Sequence, residues 1–188
     1  MGKVTASLFM SLDGVVEAPD KWQFDFDDEM AAATSRVFDG LDAVLLGRVT
    51  YTEWAAYWPT STDEPFASLI NRIPKYVAST TLDSVDEWPN SELIEGPVAD
   101  FVAELRRQDG GTVGTGGSPT LVRSLFDAGL LDELVLLIHP VVAGSGWKRL
   151  FSDDAALTKL ELVESRSTSS GVVIATYRPA EPAAGTTA

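Results

Sequence analysis

Apolar and polar residues alternate from the start of the chain, with Val4, Ala6, Leu8 and Met10 on one side and Thr5, Ser7 and Phe9 on the other. A two-residue period predicts a half-buried strand, and Asp13-Gly14 predicts the turn that ends it. Good helix formers run from the acidic stretch at Asp25–Glu29 to Phe38 and are closed by Gly40. The apolar segment 42–47 reads as a buried strand. Thr50 and Glu53, at capping-box spacing, place a helix right after it. A helix over 66–72 stops before Pro74, a strand covers 75–78, and a short one covers 92–94. Pro97 opens a helix in which Val98, Phe101, Val102 and Leu105 fall at helical spacing.

Thr112–Thr115 is the next strand, and it runs into the turn Gly116-Gly117. In the helix after this turn, the Ser118 hydroxyl is expected to cap, Pro119 suits the first position because it lacks an N–H, and Gly129 closes in a left-handed conformation. Leu121, Val122, Leu125 and Phe126 share its buried face. The uninterrupted run Leu134–Ile138 reads as a central strand. Leu160–Arg166 and Val172–Arg178, joined by 167–171, read as an antiparallel hairpin. Strands alternating with helices, then a terminal hairpin, predict an α/β fold: a mostly parallel mixed sheet with helices on both faces and an antiparallel edge. One domain spans 1–178, and 179–188, made mostly of Ala, Pro, Gly and Thr, is expected to be a disordered tail.

Composition narrows the chemistry. The 188 residues include no Cys and one His, which excludes disulfides, thiolate catalysis and histidine-rich metal centres. A formal net charge of −14 disfavours nucleic acid as a partner. No apolar run approaches a membrane span and the N-terminus lacks a signal-peptide shape, so a cytoplasmic location and no membrane partner are expected.

In open α/β sheets ligands bind beyond the carboxyl ends of the strands. Three predicted strand ends carry phosphate-compatible groups: Gly47-Arg48 with Thr50, Ser79-Thr80, and Gly116-Gly117-Ser118 leading into Pro119-Thr120. Glycines admit close backbone approach, and helix N-termini present unpaired N–H groups to an anion. The acidic cluster Asp25, Asp27, Asp28, Glu29 has two readings. Carboxylates favour a first helical turn; alternatively one of them, near an aromatic floor at Trp22, passes a proton to a heterocycle. His139 at a strand end reads as a packed imidazole. The Val141–Trp147 loop does not fit a serine-hydrolase elbow, because Ala143 and Trp147 occupy its outer glycine positions.

Taken in order, Ser11-Leu12-Asp13-Gly14, Leu46-Gly47-Arg48-Val49-Thr50-Tyr51, Ser79-Thr80, Gly116-Gly117, Gly129-Leu130-Leu131-Asp132-Glu133-Leu134, Pro140 and the Gly144–Gly146 loop resemble the dihydrofolate reductase-like superfamily. The resemblance is closest to the reductase domain of the bifunctional riboflavin-biosynthesis deaminase-reductase and its small relatives, and covers Lys3 to Tyr177. It implies the three-layer fold of that superfamily and an NADPH-dependent reductase acting on a pterin-, pyrimidine- or flavin-like heterocycle. The alternative is a non-catalytic nucleotide- or flavin-binding module on the same fold. It also implies cofactor contacts from Gly47, Arg48, Thr50, Ser79, Thr80 and Gly116 to Thr120, often with a cis Gly-Gly bond. Asp27 would be the catalytic carboxylate, with Asp25 and Asp28 as competitors, and Asp13 and Trp22 would line the substrate. Basic residues for a ribose phosphate are not evident. A homodimer is expected, since such relatives often pair and Leu134–Ile138 offers apolar surface.

Overall fold

The computed structural model describes residues 2–108 and 110–180. Its centre is an eight-stranded sheet in the order β4-β3-β2-β5-β1-β6-β8-β7. The strands are β1 (Lys3–Ser11), β2 (Ala43–Gly47), β3 (Lys75–Ala78), β4 (Ser91–Leu93), β5 (Thr112–Thr115), β6 (Glu133–His139), β7 (Leu160–Ser167) and β8 (Val173–Pro179). The first six are mutually parallel, β8 runs antiparallel to β6, and β7 antiparallel to β8. Five α-helices cover the sheet: α1 (Asp28–Asp39), α2 (Arg48–Tyr57), α3 (Phe66–Arg72), α4 (Val98–Arg107) and α5 (Pro119–Asp127).

The period-two pattern divides the core between the faces. Ala6, Leu8, Leu45, Leu134 and Leu136 pack with Val102 of α4 and Leu121, Val122 and Leu125 of α5. On the opposite face Val44, Leu46 and Val77 meet Tyr51, Leu69 and Ile70, while Leu137 and Ile174 meet Met30 and Ala33 of α1. The result is the three-layer α/β/α arrangement expected from the sequence. Among the described residues, no helix is long and apolar enough to cross a membrane.

Three local expectations are revised. Ser118 does not cap α5 through its side chain; it sits in the left-handed region at φ 65°, and its carbonyl accepts from Val122 N. Helix α2 starts at Arg48 rather than after Thr50, so Thr50 lies buried inside the first turn and no capping box forms. Pro179 closes β8 and the Ala180 amide donates to Lys159 O at 3.1 Å, so these two residues belong to the fold; the rest of the expected tail, 181–188, lies outside the described residues. Finally, β6 is flanked by β1 and β8, with Leu134, Leu136 and Leu137 all at most 5% exposed and Val135 and Ile138 partly buried.

Lys75 is an unexpected core residue. Its Nζ, 1% exposed as a residue, donates to Ile73 O (2.7 Å), Asn71 O (3.2 Å) and Pro89 O (3.4 Å), and lies 4.4 Å from the centre of the Trp88 ring. No carboxylate among the described residues pairs with it, and burial pushes its pKa down to about 8. A lysine whose folded pKa lies below its unfolded value penalises the fold while both states are charged. That penalty is relieved as pH rises from about 8 towards 10.5. Chemical denaturation of the wild type and of Lys75→Met across this window should therefore show the wild type gaining stability relative to the variant. A pH-independent difference would mean that the carbonyls and the ring hold the cation as well as water does.

Candidate functional site

The sheet order puts the three candidate strand ends side by side, because β3, β2 and β5 are consecutive neighbours. Gly47 ends β2, Ser79 follows β3, and Gly116-Gly117 follows β5. Helices α2 and α5 begin at two of these ends, and neither has a side-chain cap. The amides of their first turns are thus available to an anion placed between them. The Arg48 side chain is exposed and has no ion pair or side-chain hydrogen bond among the described residues. Thr50 is 8% exposed and faces the turn: its Oγ1 and Cγ2 lie 3.8 Å from where a Cβ on Gly117 would stand. Thr115 Oγ1 donates to Gly117 O at 2.8 Å, fixing the turn, and Gly117 takes φ 135°, which only glycine adopts without strain. Thr120 is exposed on the first turn of α5 behind Pro119.

The other glycines serve the protein rather than a ligand. A Cβ on Gly116 would come within 2.5 Å of Trp54 Cη2, and one on Gly47 would overlap Ser118, with its Cβ at 2.8 Å. The Gly116–Gly117 bond is trans; the cis bond among the described residues is Glu64–Pro65. Ser79 Oγ accepts from Thr81 N (3.1 Å) and Leu82 N (3.0 Å), which turns the chain after β3 and leaves its proton free to donate, while Thr80 is exposed.

The residues expected on the substrate side lie beyond β1 and β6. Asp27 caps α1, with Oδ1 accepting from Met30 N at 2.8 Å and Oδ2 from Ser170 Oγ at 2.6 Å. The Ser170 hydroxyl and the Met30 amide hold this carboxyl down at about 2, so it is ionised at neutral pH and has no proton to give. Asp27, expected from the sequence as the reacting carboxylate, is here bound to the first turn of α1 and to Ser170. Asp13 is equally committed: Oδ1 accepts from Ser11 Oγ (2.6 Å) and Ala143 N (2.9 Å), Oδ2 from Gly144 N (2.9 Å), and these bonds, the Ser11 hydroxyl first, hold it at about 2. It fastens the loop after β1 to the loop after β6. Trp22 is 5% exposed, donates from Nε1 to Glu17 O at 2.8 Å and packs edge-on against His139 at 5.7 Å, so it is no open floor. Asp25 and Asp28, the competitors, are exposed.

Two exposed aromatic residues ahead of α1 were not singled out from the sequence. Phe26 is 47% exposed and stands edge-on to Phe9 (6.1 Å) and to Phe66 of α3 (6.0 Å), while Phe24 is 80% exposed. Their alternation with Asp25 and Asp27 was the available signal. His139, 2% exposed between Phe9 and Trp22, has its pKa lowered by burial, against the opposing fields of Asp25 and Asp27.

The comparisons with known proteins agree with this geometry. The chain matches the RibD C-terminal domain over residues 2–174. It belongs to that family. The Bacillus subtilis protein YyaP is 30% identical over 182 residues, 93% of this chain and 94% of its own. Among solved structures, a putative riboflavin biosynthesis protein from Shewanella sp. PV-4 superposes with a TM-score of 0.77 at 18% identity, covering 95% of this chain and 99% of the other. Dihydrofolate reductase from Enterococcus faecalis, solved with NADP(H), superposes with a TM-score of 0.64 at 14% identity, covering 94% and 96%. The solved structures share the fold of this chain.

One substitution tests the role assigned to Asp27. Asp27→Asn should lower the melting temperature and remove the part of wild-type stability that is lost as pH falls from about 4 towards 2, because a carboxyl with a depressed folded pKa stabilises only while ionised. Turnover in Asp27→Asn, measured well below its melting temperature, should persist; its loss in a folded variant would return this carboxylate to the reaction.

Proposed function

We propose that the protein is an NADPH-dependent reductase that transfers a hydride to a small flat heterocycle. The observation that carries this reading is the convergence of an unpaired Arg48 with two uncapped helix N-termini at three adjacent strand ends. These groups fit the cofactor. Arg48 supplies a guanidinium free to meet a phosphate bidentately, and the first-turn amides of α2 and α5 supply donors to the pyrophosphate. Ser79 and Thr80 supply hydroxyls on the adjoining strand end for the adenosine 2′-phosphate. The buried Thr50 hydroxyl supports the Gly117 turn from behind.

NADPH, when bound, supplies the hydride and is itself oxidised to NADP⁺. The chain's part is position and exclusion. Phe26, backed by Phe9 and Phe66, offers a face against which a ring could lie, and the first turns of α2 and α5 would hold the cofactor. A C=N or C=O bond of the substrate takes the hydride on carbon and a proton on nitrogen or oxygen. Hydrogen bonds hold the Asp13 and Asp27 carboxyls well below the usual range, so water is assigned as the source of that proton.

Arg48→Ala should weaken NADPH binding by roughly ten- to a hundredfold, the loss of one or two hydrogen bonds to a charged group, and NADH binding far less. Quenching of tryptophan fluorescence by each dinucleotide measures both affinities. Equal losses would remove Arg48 from the 2′-phosphate, and no NADPH binding by the wild type would favour the non-catalytic module.

A further inference from the structure

The closing hairpin of β7 and β8 has two unlike faces. In β8, Ile174 turns towards Met30 and Ala33 of α1, while Tyr177 turns the other way, into the core shared with α4 and α5. Residues paired across neighbouring strands share a face, so the ladder carries this division over to β7. Glu161, Glu164 and Arg166 stand opposite Arg178, Thr176 and Ile174, on the α1 side. Leu162, Ser165 and Ser167 stand opposite Tyr177, Ala175 and Val173, on the α5 side. The β-bulge between Leu162 and Glu164 makes the sorting possible, because without it Glu161 and Arg166 would face opposite ways. Every charged side chain of the two strands therefore lies on the α1 side. The α5 side is free of charge, yet its apolar groups stand in water: Leu162 is 55% exposed and Val173 39%. Ile138 of β6, paired with Val173 and partly buried, borders this face, and Leu157, in the segment that leads into β7, is fully exposed.

We infer that this charge-free face is where a second copy of the chain docks, face to face across a two-fold axis. The net charge of −14 opposes the approach of two copies, and contact costs least where neither brings a charge. A partner chosen by its charge would find nothing on this face to pair with. A two-fold axis lays the same apolar patch on itself, Leu162 and Val173 of one copy against those of the other. The bulge blunts β7 as an edge, so the copies meet by their faces and not by continuing the sheet. Strand rise and spacing give the β6-β8-β7 face a footprint of about 25 Å by about 14 Å. Extended by Leu157, that suits the low end of stable interfaces, about 600 Å² per partner. The face lies beyond β6, away from β3, β2 and β5, so docking leaves the strand-end site of each copy open.

Sedimentation equilibrium of the full chain at micromolar concentrations should show monomer and dimer, and added salt should tighten the dimer by screening the repulsion between acidic copies. Leu162→Glu/Val173→Glu sets like charges against each other in the contact and should raise the dimer dissociation constant by about a hundredfold or more. Leu162→Thr/Val173→Thr keeps strand-forming side chains while removing apolar contact, and should raise it by about tenfold. Circular dichroism and thermal unfolding separate loss of the contact from loss of the fold, and the Thr variant decides the matter where the Glu variant does not fold. Glu164→Lys, on the opposite face of the same strand, should leave the dimer in place. A wild type that stays monomeric, a dimer that the folded double variants leave intact, an association that salt weakens, or a dimer lost equally in Glu164→Lys would each overturn the inference.

Discussion

The position of β5 is the constraint on which the rest depends. This four-residue strand is inserted between β1 and β2, and it fits because side chains are missing where its neighbours press in. A Cβ on Gly114 would stand 2.5 Å from Leu41 Cδ1, and one on Gly116 equally close to Trp54. With β5 seated, its parallel ladders to β1 and β2 bring the starts of α2 and α5 together, and Ser118 fills the space that Gly47 leaves open. Replacing Gly114 would press on Leu41 after α1, and replacing Gly116 on Trp54 within α2. The meeting of the two helix starts is therefore a consequence of how the sheet packs, and Gly117, through its φ of 135°, owes its identity to the turn itself.

Carboxylates hold the loops. Asp13 takes the amides of Ala143 and Gly144, and Asp27 those of Met30 and Ser170. Asp42 takes Thr112 N, and Asp132 takes Val4 N while pairing with Arg106. Each of these amide bonds joins segments far apart in sequence, from 70 to 143 residues, apart from the local cap at Met30. Part of the strongly acidic composition is thus a set of backbone acceptors, a use that needs the ionised form and gains strength from it.

The elements were legible in the sequence because their signals are local. Residues 66–72 and 75–78 are bounded by Pro74, and Thr112–Thr115 by glycines at both ends, so these three segments carry the same limits in sequence and structure. The three strand ends were also legible, since a strand, a glycine and a helix start are read from neighbouring positions. What depends on distant partners was not. The commitment of Asp27 is decided by Ser170, and that of Asp13 by Ala143 and Gly144, more than a hundred residues away. Ser118 resembles a cap by type and position, but the β5 turn sets its backbone in the left-handed region, where its hydroxyl does not reach the helix amides. Trp22 reads as an exposed floor only until His139, from β6, is packed against it.

A carboxyl that organises a loop cannot also serve as the acid of a reaction at neutral pH. The donors that fasten the loop favour the charged form, and the same donors drag its pKa away from the range in which it would carry a proton. Asp13 and Asp27 both lie on the architectural side of that choice, at about 2. A hydride acceptor whose proton arrives from water needs no buried acid, only a ring held in place and a cofactor fixed beside it. Asp13 ties the loop after β1 to the loop after β6, and Asp27 ties the start of α1 to Ser170, so both carboxylates are engaged in joining segments far apart in the chain.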